Sequence, residues 1–246
     1  MLSETEVNDL RKHLNRSAST IFVIGQGIDF KPELSWHNQV VRDLYSDDEG
    51  VVEQSWKALL SMTPQAQKIP FIGSYTQYVS QTALIDVANF YILNTSISGE
   101  IGVTSKNTVV VNLNGLLHKG VCKATGVIKD ISTPEDTKDL TPAFIPLSEN
   151  YQPFYDVVHD LEKFVEKQEV RSVFFIGVSG KCPVVESIFN RALMRSTMKD
   201  PVFKCVVNTE ATYMDDEADL VVRADAKDFL RLLSQSFPDG ERYFND

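Results

Sequence analysis

The stretch Ser172-Val173-Phe174-Phe175-Ile176-Gly177-Val178-Ser179 is a strand-length apolar run that stops at a turn of small residues. A second run, Phe203-Lys204-Cys205-Val206-Val207, stops at Asn208, and residues Val184 to Met198 between the two read as a helix. Strand, turn, helix, strand is the βαβ unit, which makes the sheet parallel. Open parallel sheets take ligands at the carboxyl ends of their strands. A third run, Ile21 to Ile24, ends in Gly25-Gln26-Gly27. Three strand ends of this kind point to a nucleotide site.

Outward from these runs, the α/β pattern continues. Ser3 to Leu14 has apolar residues at helical spacing, with Ser3 and Glu6 placed as a capping box. Gln77 to Val87 and Phe154 to Glu166 read as helices, as does Ala226 to Leu233. Phe90 to Leu93 (ending at Asn94), Thr108 to Leu113 (ending at Asn114-Gly115), Ala143 to Leu147 and Leu220 to Val222 read as strands. Residues 29 to 75 show no long periodic stretch and read as short helices and loops over one edge of the sheet, with Trp36 and Trp56 packing there. Cys122 to Thr141 reads as loop. The expected fold is one α/β domain with a mainly parallel six-stranded sheet flanked by helices.

Composition excludes several classes. With 246 residues, 43% of them hydrophobic, the chain can bury one substantial core. No apolar run approaches the roughly 18 residues that a membrane span needs. Residues 1 to 19 are polar and charged, unlike a secretory signal. A net charge of −10 lacks the clustered Lys and Arg that track a nucleic-acid backbone. Cys122, Cys182 and Cys205 are far apart and odd in number, so neither a disulfide framework nor a four-cysteine zinc site is expected. These features fit a cytoplasmic protein without nucleic-acid or membrane partners.

The order of elements resembles the sirtuin family, the NAD-dependent protein deacylases. Sirtuins carry a Gly-Thr-Ser turn with a Pro a few residues on, and Gly177-Val178-Ser179 through Pro183 is similar. Their next strand ends in Asn, an acidic residue and Thr, then Ala-Asp; here stand Asn208-Thr209-Glu210-Ala211-Thr212 and Ala218-Asp219. Arg223-Ala224-Asp225-Ala226 falls where the family has an adenine-contacting turn and a closing helix. Asn94 follows its strand as the asparagine of the family's Asn-x-Asp motif does. Val110-Val111-Asn112-Leu113-Asn114-Gly115 stands where the family writes apolar-apolar-Glu-Leu-His-Gly, and Cys122 lies where the first zinc cysteine does. The resemblance covers most of residues 18 to 235, most specifically the carboxyl-terminal third.

The departures concern catalysis. Asn114 occupies the place of the general-base histidine, and an amide accepts no proton at neutral pH. His118 would replace it only in a register that breaks the spacing to Asn94 and Cys122, so it reads as a loop histidine. Ser96 stands for the motif's aspartate, Gln26 for the alanine of the first glycine loop, and one zinc cysteine remains of four.

The resemblance implies a sirtuin-type Rossmann-like domain over residues 1–246, in which residues 28–75 and 115–142 form a reduced second lobe without zinc or other metal. It implies NAD as cofactor, held by Gly25, Gln26, Gly27, Gly177, Val178, Ser179, Asn208, Ala224, Asp225 and Ala226, with Asn94 and Asn114 at the catalytic positions. The residues alone leave Ser179 open between donating to a phosphate and capping a helix. They leave Asn208 open between holding a ribose and satisfying a loop carbonyl. The functional expectation is an NAD- or ADP-ribose-binding protein with deacylation weak or absent. The alternative is an active transferase that consumes NAD, a deacylase or ADP-ribosyltransferase acting on an acylated or ADP-ribosylated protein. A generic Rossmann dehydrogenase is weaker, because no acidic residue stands at a strand end roughly 20 residues past Gly25.

Overall fold

The computed structural model describes residues 5–6, 9–10, 13, 20–25, 38–62, 90–95, 108–137, 139–144, 170–179, 183–195 and 201–236. Nine strands occur among them: β1 (Thr20–Ile24), β2 (Phe90–Asn94), β3 (Thr108–Asn112), β4 (Gly115–Cys122), β5 (Ile128–Asp130), β6 (Leu140–Phe144), β7 (Ser172–Ile176), β8 (Phe203–Val207) and β9 (Leu220–Val222). The helices are α1 (Gln39–Asp43), α2 (Glu49–Met62), α3 (Pro183–Arg195) and α4 (Ala226–Ser236). Residues 5–6, 9–10 and 13 are also helical, as the amino-terminal periodicity predicts.

Six strands form one parallel sheet in the order β3-β2-β1-β7-β8-β9. Its central strands are mostly apolar because helices cover both faces, the exceptions being Thr20 and Ser172, which hydrogen-bond each other at 3.1 Å, and Lys204. Residues 20–24 of β1 and 172–176 of β7 are all buried. Alternate side chains then sort into two cores. Phe22, Ile24, Phe174, Ile176 and Val207 meet Leu10 together with Ala226, Phe229, Leu230 and Leu233 of α4. Ile21, Val23, Val173, Phe175 and Val206 meet Val185, Ile188, Phe189 and Ala192 of α3. In each helix the apolar residues recur at three- and four-residue spacing, which lays one stripe on the sheet. Each fully buried Phe, Leu or Ile stabilises this arrangement by about 1.5–3 kcal/mol.

The chain runs from β1 outward to β2 and β3, then returns to β7 on the other side of β1. The sheet therefore reverses its winding between β1 and β7, and the crevice expected to take a ligand opens there, at the carboxyl ends.

The other three strands depart from the sequence expectation. Cys122 to Thr141, read as loop, contributes to an antiparallel sheet ordered β5-β4-β6. The strand expected over Ala143 to Leu147 starts earlier, at Leu140, and joins this small sheet. Pro142 is tolerated in β6 because that strand is an edge. His118 lies on β4 and is half-buried, not in a loop. Residues 29 to 75, expected to hold only short helices, contain the 14-residue α2. Its Trp56 and Leu59 pack with Val41, Leu44, Leu117, Ile131 and Leu140 on the small sheet, not on the edge of the parallel one. Asp48 is exposed and caps α2, its Oδ1 accepting from Gly50 N–H at 2.8 Å. The expected helices over 77–87 and 154–166 lie outside the described residues, as do Trp36, His37, His159 and Cys182.

Candidate functional site

The carboxyl edge of the parallel sheet is knitted by one hydrogen bond past the end of each strand. Thr95 N–H donates to Ile24 O at 2.8 Å, Gly25 N–H to Ile176 O at 2.9 Å and Gly177 N–H to Val207 O at 2.8 Å. Asn208 N–H donates to Val222 O at 3.1 Å, and Leu113 N–H to Asn94 O at 2.8 Å. Asn94, Gly25, Gly177 and Asn208 thus stand side by side, although up to 183 positions separate them in the chain (208 − 25).

Gly25 and Gly177 meet at the switch point. A Cβ on Gly25 would lie 2.1 Å from Gly177 O and 2.6 Å from Val178 Cγ1, so only glycine fits. Gly177 has φ +63°, which glycine adopts without strain. The approach of β7's turn thus explains Gly25 sterically. Gln26 and Gly27 lie outside the described residues.

Beyond Gly177, Val178 is 5% exposed and Ser179 is exposed. Neither backbone N–H has a hydrogen-bond partner among the described residues. The carbonyl of Val178 accepts from Asn208 Nδ2 at 3.0 Å, and Asn208 Oδ1 accepts from Glu210 N–H at 3.4 Å. Of the two roles open to Asn208, the structure displays the loop-carbonyl one. α3 begins at Pro183, four residues past Ser179. Val178 and Ser179 follow the Gly177 turn at the switch point, where backbone amides can meet an anion.

At the opposite end, Asn94 is fully buried and its Nδ2 donates to Asn112 Oδ1 at 2.9 Å. Asn114, in the turn from β3 to β4, donates from Nδ2 to Thr95 O at 2.6 Å. Thr95 Oγ1 donates to Ile24 O at 3.1 Å. The structure brings Asn94 and Asn114 to one place and adds Asn112 and Thr95, which the sequence reading passed over. The signal was available: β2 and β3 are five residues each, both end in Asn, and they pair in register.

Past β9, Ala224 N–H donates to Val222 O at 3.2 Å and Ala226 is buried. Asp225 caps α4, its Oδ1 accepting from Lys227 N–H at 2.8 Å. The loop from 208 to 219 is anchored by buried Met214 and by Tyr213, whose ring meets Phe189 edge-on at 6.0 Å. Asp215 accepts from Thr212 N–H at 2.9 Å, from Thr212 Oγ1 at 2.8 Å and from Arg223. Burial pushes its pKa up, but Arg223 and Thr212 outweigh that and hold it below the usual carboxylate value.

Among the described residues no group of three His, Cys, Asp or Glu side chains could hold a metal ion. Cys205 is buried in the parallel sheet and Cys122 sits half-buried at the end of β4, so these two do not combine as ligands for a zinc lobe. Among the same residues no helix is long and apolar enough to cross a membrane.

Order, winding and strand-end geometry define a Rossmann-like parallel α/β protein with a small antiparallel lobe. Solved structures make the type specific. A Sir2 homologue in complex with NAD is similar with a TM-score of 0.68 and 14% identity, over 94% of this chain and 93% of that one. Sir2 bound to an acetylated peptide gives 0.67 and 16%, over 94% and 98%. A variant Sir2 homologue in complex with ADP-ribose gives 0.66 and 16%, over 96% of each chain. No protein-family model and no curated protein matches the sequence. The chain has the sirtuin-type fold.

Proposed function

We propose that the chain binds NAD or ADP-ribose along the carboxyl edge of its parallel sheet, and that deacylation by it is weak or absent. The observation that carries the binding half is the turn Gly177–Ser179, placed where the sheet reverses its winding, whose Val178 and Ser179 amides have no partner among the described residues. A pyrophosphate there would accept from both amides with the amino terminus of α3 close behind in sequence, an arrangement that favours negative charge. The fold neighbours hold NAD, ADP-ribose and an acetylated peptide at comparable coverage, which supports the ligand class. The small lobe of α1, α2 and β4–β6 corresponds in this reading to the reduced second lobe.

The catalytic half rests on Asn114 and Asn94. Asn114 has no basic lone pair to offer, and one of its two N–H groups is given to Thr95 O. Asn94 is tied to Asn112 out of contact with solvent. Bound NAD would bring a cleavable nicotinamide–ribose bond, but the described residues supply no general base next to Asn94.

Calorimetric titration of the full chain with NAD and with ADP-ribose tests the binding half. Micromolar affinity is expected, and failure of a folded sample to bind either ligand overturns it. Nicotinamide release from NAD with acetylated peptides tests the other half; turnover above background would restore the deacylase reading.

A further inference from the structure

The small antiparallel sheet has an open edge at β5. In the β4–β5 pairing Lys119 faces Asp130, Gly120 faces Lys129 and Val121 faces Ile128. Cys122 N–H donates to Val127 O at 2.9 Å and Ile131 N–H to His118 O at 2.8 Å, so Val127 and Ile131 turn backbone groups toward β4. Alternation along an antiparallel ladder gives Lys129 the same sense and turns the N–H and C=O of Ile128 and Asp130 outward. β5 is the last strand on that side of the sheet, so these groups have no strand partner among the described residues. An edge of this kind is a template for an added strand.

The side chains select what that strand carries. All three residues of β5 are exposed, Ile128 to 51%, and Val127 just before it to 53%. The β4–β5 hairpin holds Lys119, Lys123 and Lys129 against Asp130 alone, in a chain whose net charge is −10. Lys119 pairs with Asp130 at 3.1 Å, whereas Lys123 and Lys129 have no ion pair among the described residues. These charges disfavour a second copy of the chain as the occupant. In the antiparallel register that joins all the outward groups, Ile128 meets the copy's Asp130 and Lys129 directly opposes its own equivalent. Like charges so placed destabilise a strand pair, and an acidic residue in the same position stabilises it.

We propose that β5 docks an extended acidic segment of a partner protein, added antiparallel as a fourth strand of the small sheet. An acidic side chain of that segment faces Lys129, and a β-branched apolar one lies beside Ile128. The outward groups of Ile128 and Asp130 supply the main-chain bonds, and the lysines supply the preference for negative charge. This docking edge stands apart from the nucleotide reading, because it uses none of the strand ends of the parallel sheet.

Nuclear magnetic resonance titration of the isotope-labelled full chain at low salt tests this. The probes are a capped peptide, Thr-Val-Thr-Glu-Val-Thr, and its counterpart with Lys in place of Glu. The acidic peptide should shift the amides of Ile128 and Asp130 with a Kd of about 1 mM, and bind about 3- to 10-fold more tightly than the basic one. Lys129→Glu should invert that order. Ile128→Pro, which deletes an outward N–H but no bond to β4, should weaken both peptides. Equal affinity of the two peptides, or an order that Lys129→Glu leaves unchanged, would overturn the proposal. So would the absence of shifts at Ile128 and Asp130 up to about 10 mM acidic peptide. Shifts of the same two amides with protein concentration alone would assign the edge to a second copy and overturn it as well.

Discussion

Replacing Asn208 by Asp should make ligand affinity depend on pH. In a trans peptide the carbonyl of one residue and the N–H of the next point in opposite directions. Asn208 Nδ2 fixes the Val178 carbonyl at 3.0 Å, and thereby aims the N–H of Ser179 away from Asn208. Asp has the same size, but its ionised carboxylate has no hydrogen to give and faces the carbonyl oxygen with like partial charge. Loss of a neutral hydrogen bond is worth about 1–1.5 kcal/mol, which predicts ADP-ribose affinity about 5- to 15-fold weaker at neutral pH. On acidification the new carboxyl protonates and donates to Val178 O again. The neighbouring carbonyl favours the protonated form, so its pKa lies above the ordinary value of about 3.9. Affinity should therefore return as pH falls through that raised value, whereas the wild-type protein should be flat over the same range. Stability of the variant follows the same sign: the folded-state pKa is raised, so the variant is most stable in acid and weakens as pH rises through it. Calorimetry near pH 7.5 and near pH 5, with Asn208→Ala as the control that stays weak at both, reads the effect. Wild-type affinity in Asn208→Asp at neutral pH would refute the reasoning. So would equal weakness of both variants at every pH.

Four further outcomes are expected. Gly25→Ala should lower stability by about 3 kcal/mol or more, because its Cβ would stand 2.1 Å from a backbone oxygen; denaturant midpoints measure this. Lys204 is buried with Nζ 2.8 Å from Asp219 Oδ2 on the strand-end side remote from the site. Asp219→Asn should cost about 2–3 kcal/mol by removing the facing carboxylate, and Lys204→Met about 1 kcal/mol or less; the reverse order in thermal unfolding would contradict the charge argument. Leu117→Ala should cost about 2–5 kcal/mol because the small lobe is held by its apolar core, whereas a chelator should leave the wild-type melting temperature unmoved. Asp215 titrates below its ordinary value in the folded state, so its contribution is present above that ordinary value and fades as pH falls through the folded one. Arg223→Met should shift acid unfolding, followed by circular dichroism, to higher pH.

The parallel sheet was legible because its strands are buried on both faces. Runs such as Ser172–Ile176 and Ile21–Ile24 have no polar alternation to confuse with anything else, and small or amide residues end them. The small lobe was not legible for the opposite reason. In β4, Gly115-Leu116-Leu117-His118-Lys119-Gly120 alternates poorly, because the pairing with β6 shifts register between Gly115 and Gly120. In α2 a serine, Ser55, occupies a buried position beside Trp56, which breaks the apolar stripe that a periodicity reading looks for. Asp139, with φ +63°, begins the approach to β6 in a backbone state that no sequence pattern announces for Asp in particular.

The site was legible in its location more than in the condition of its groups. Gly25-Gln26-Gly27 looks the same in a chain that cradles a phosphate and in one that needs room for a neighbouring turn, and here the approach of Gly177 accounts for Gly25 by itself. Asn94 and Asn114 come together past the ends of β2 and β3, but identity at a position does not reveal whether an amide points at a ligand or at Asn112 and Thr95. What separates the readings is which polar groups the fold has already satisfied. At the β2–β3 end Asn94 and Asn114 each give one N–H to the protein, and after β7 the Val178 and Ser179 amides have no partner among the described residues. That contrast supports the proposed reading, in which the turn after β7 meets a nucleotide's phosphates and Asn114 stands without a proton-accepting nitrogen.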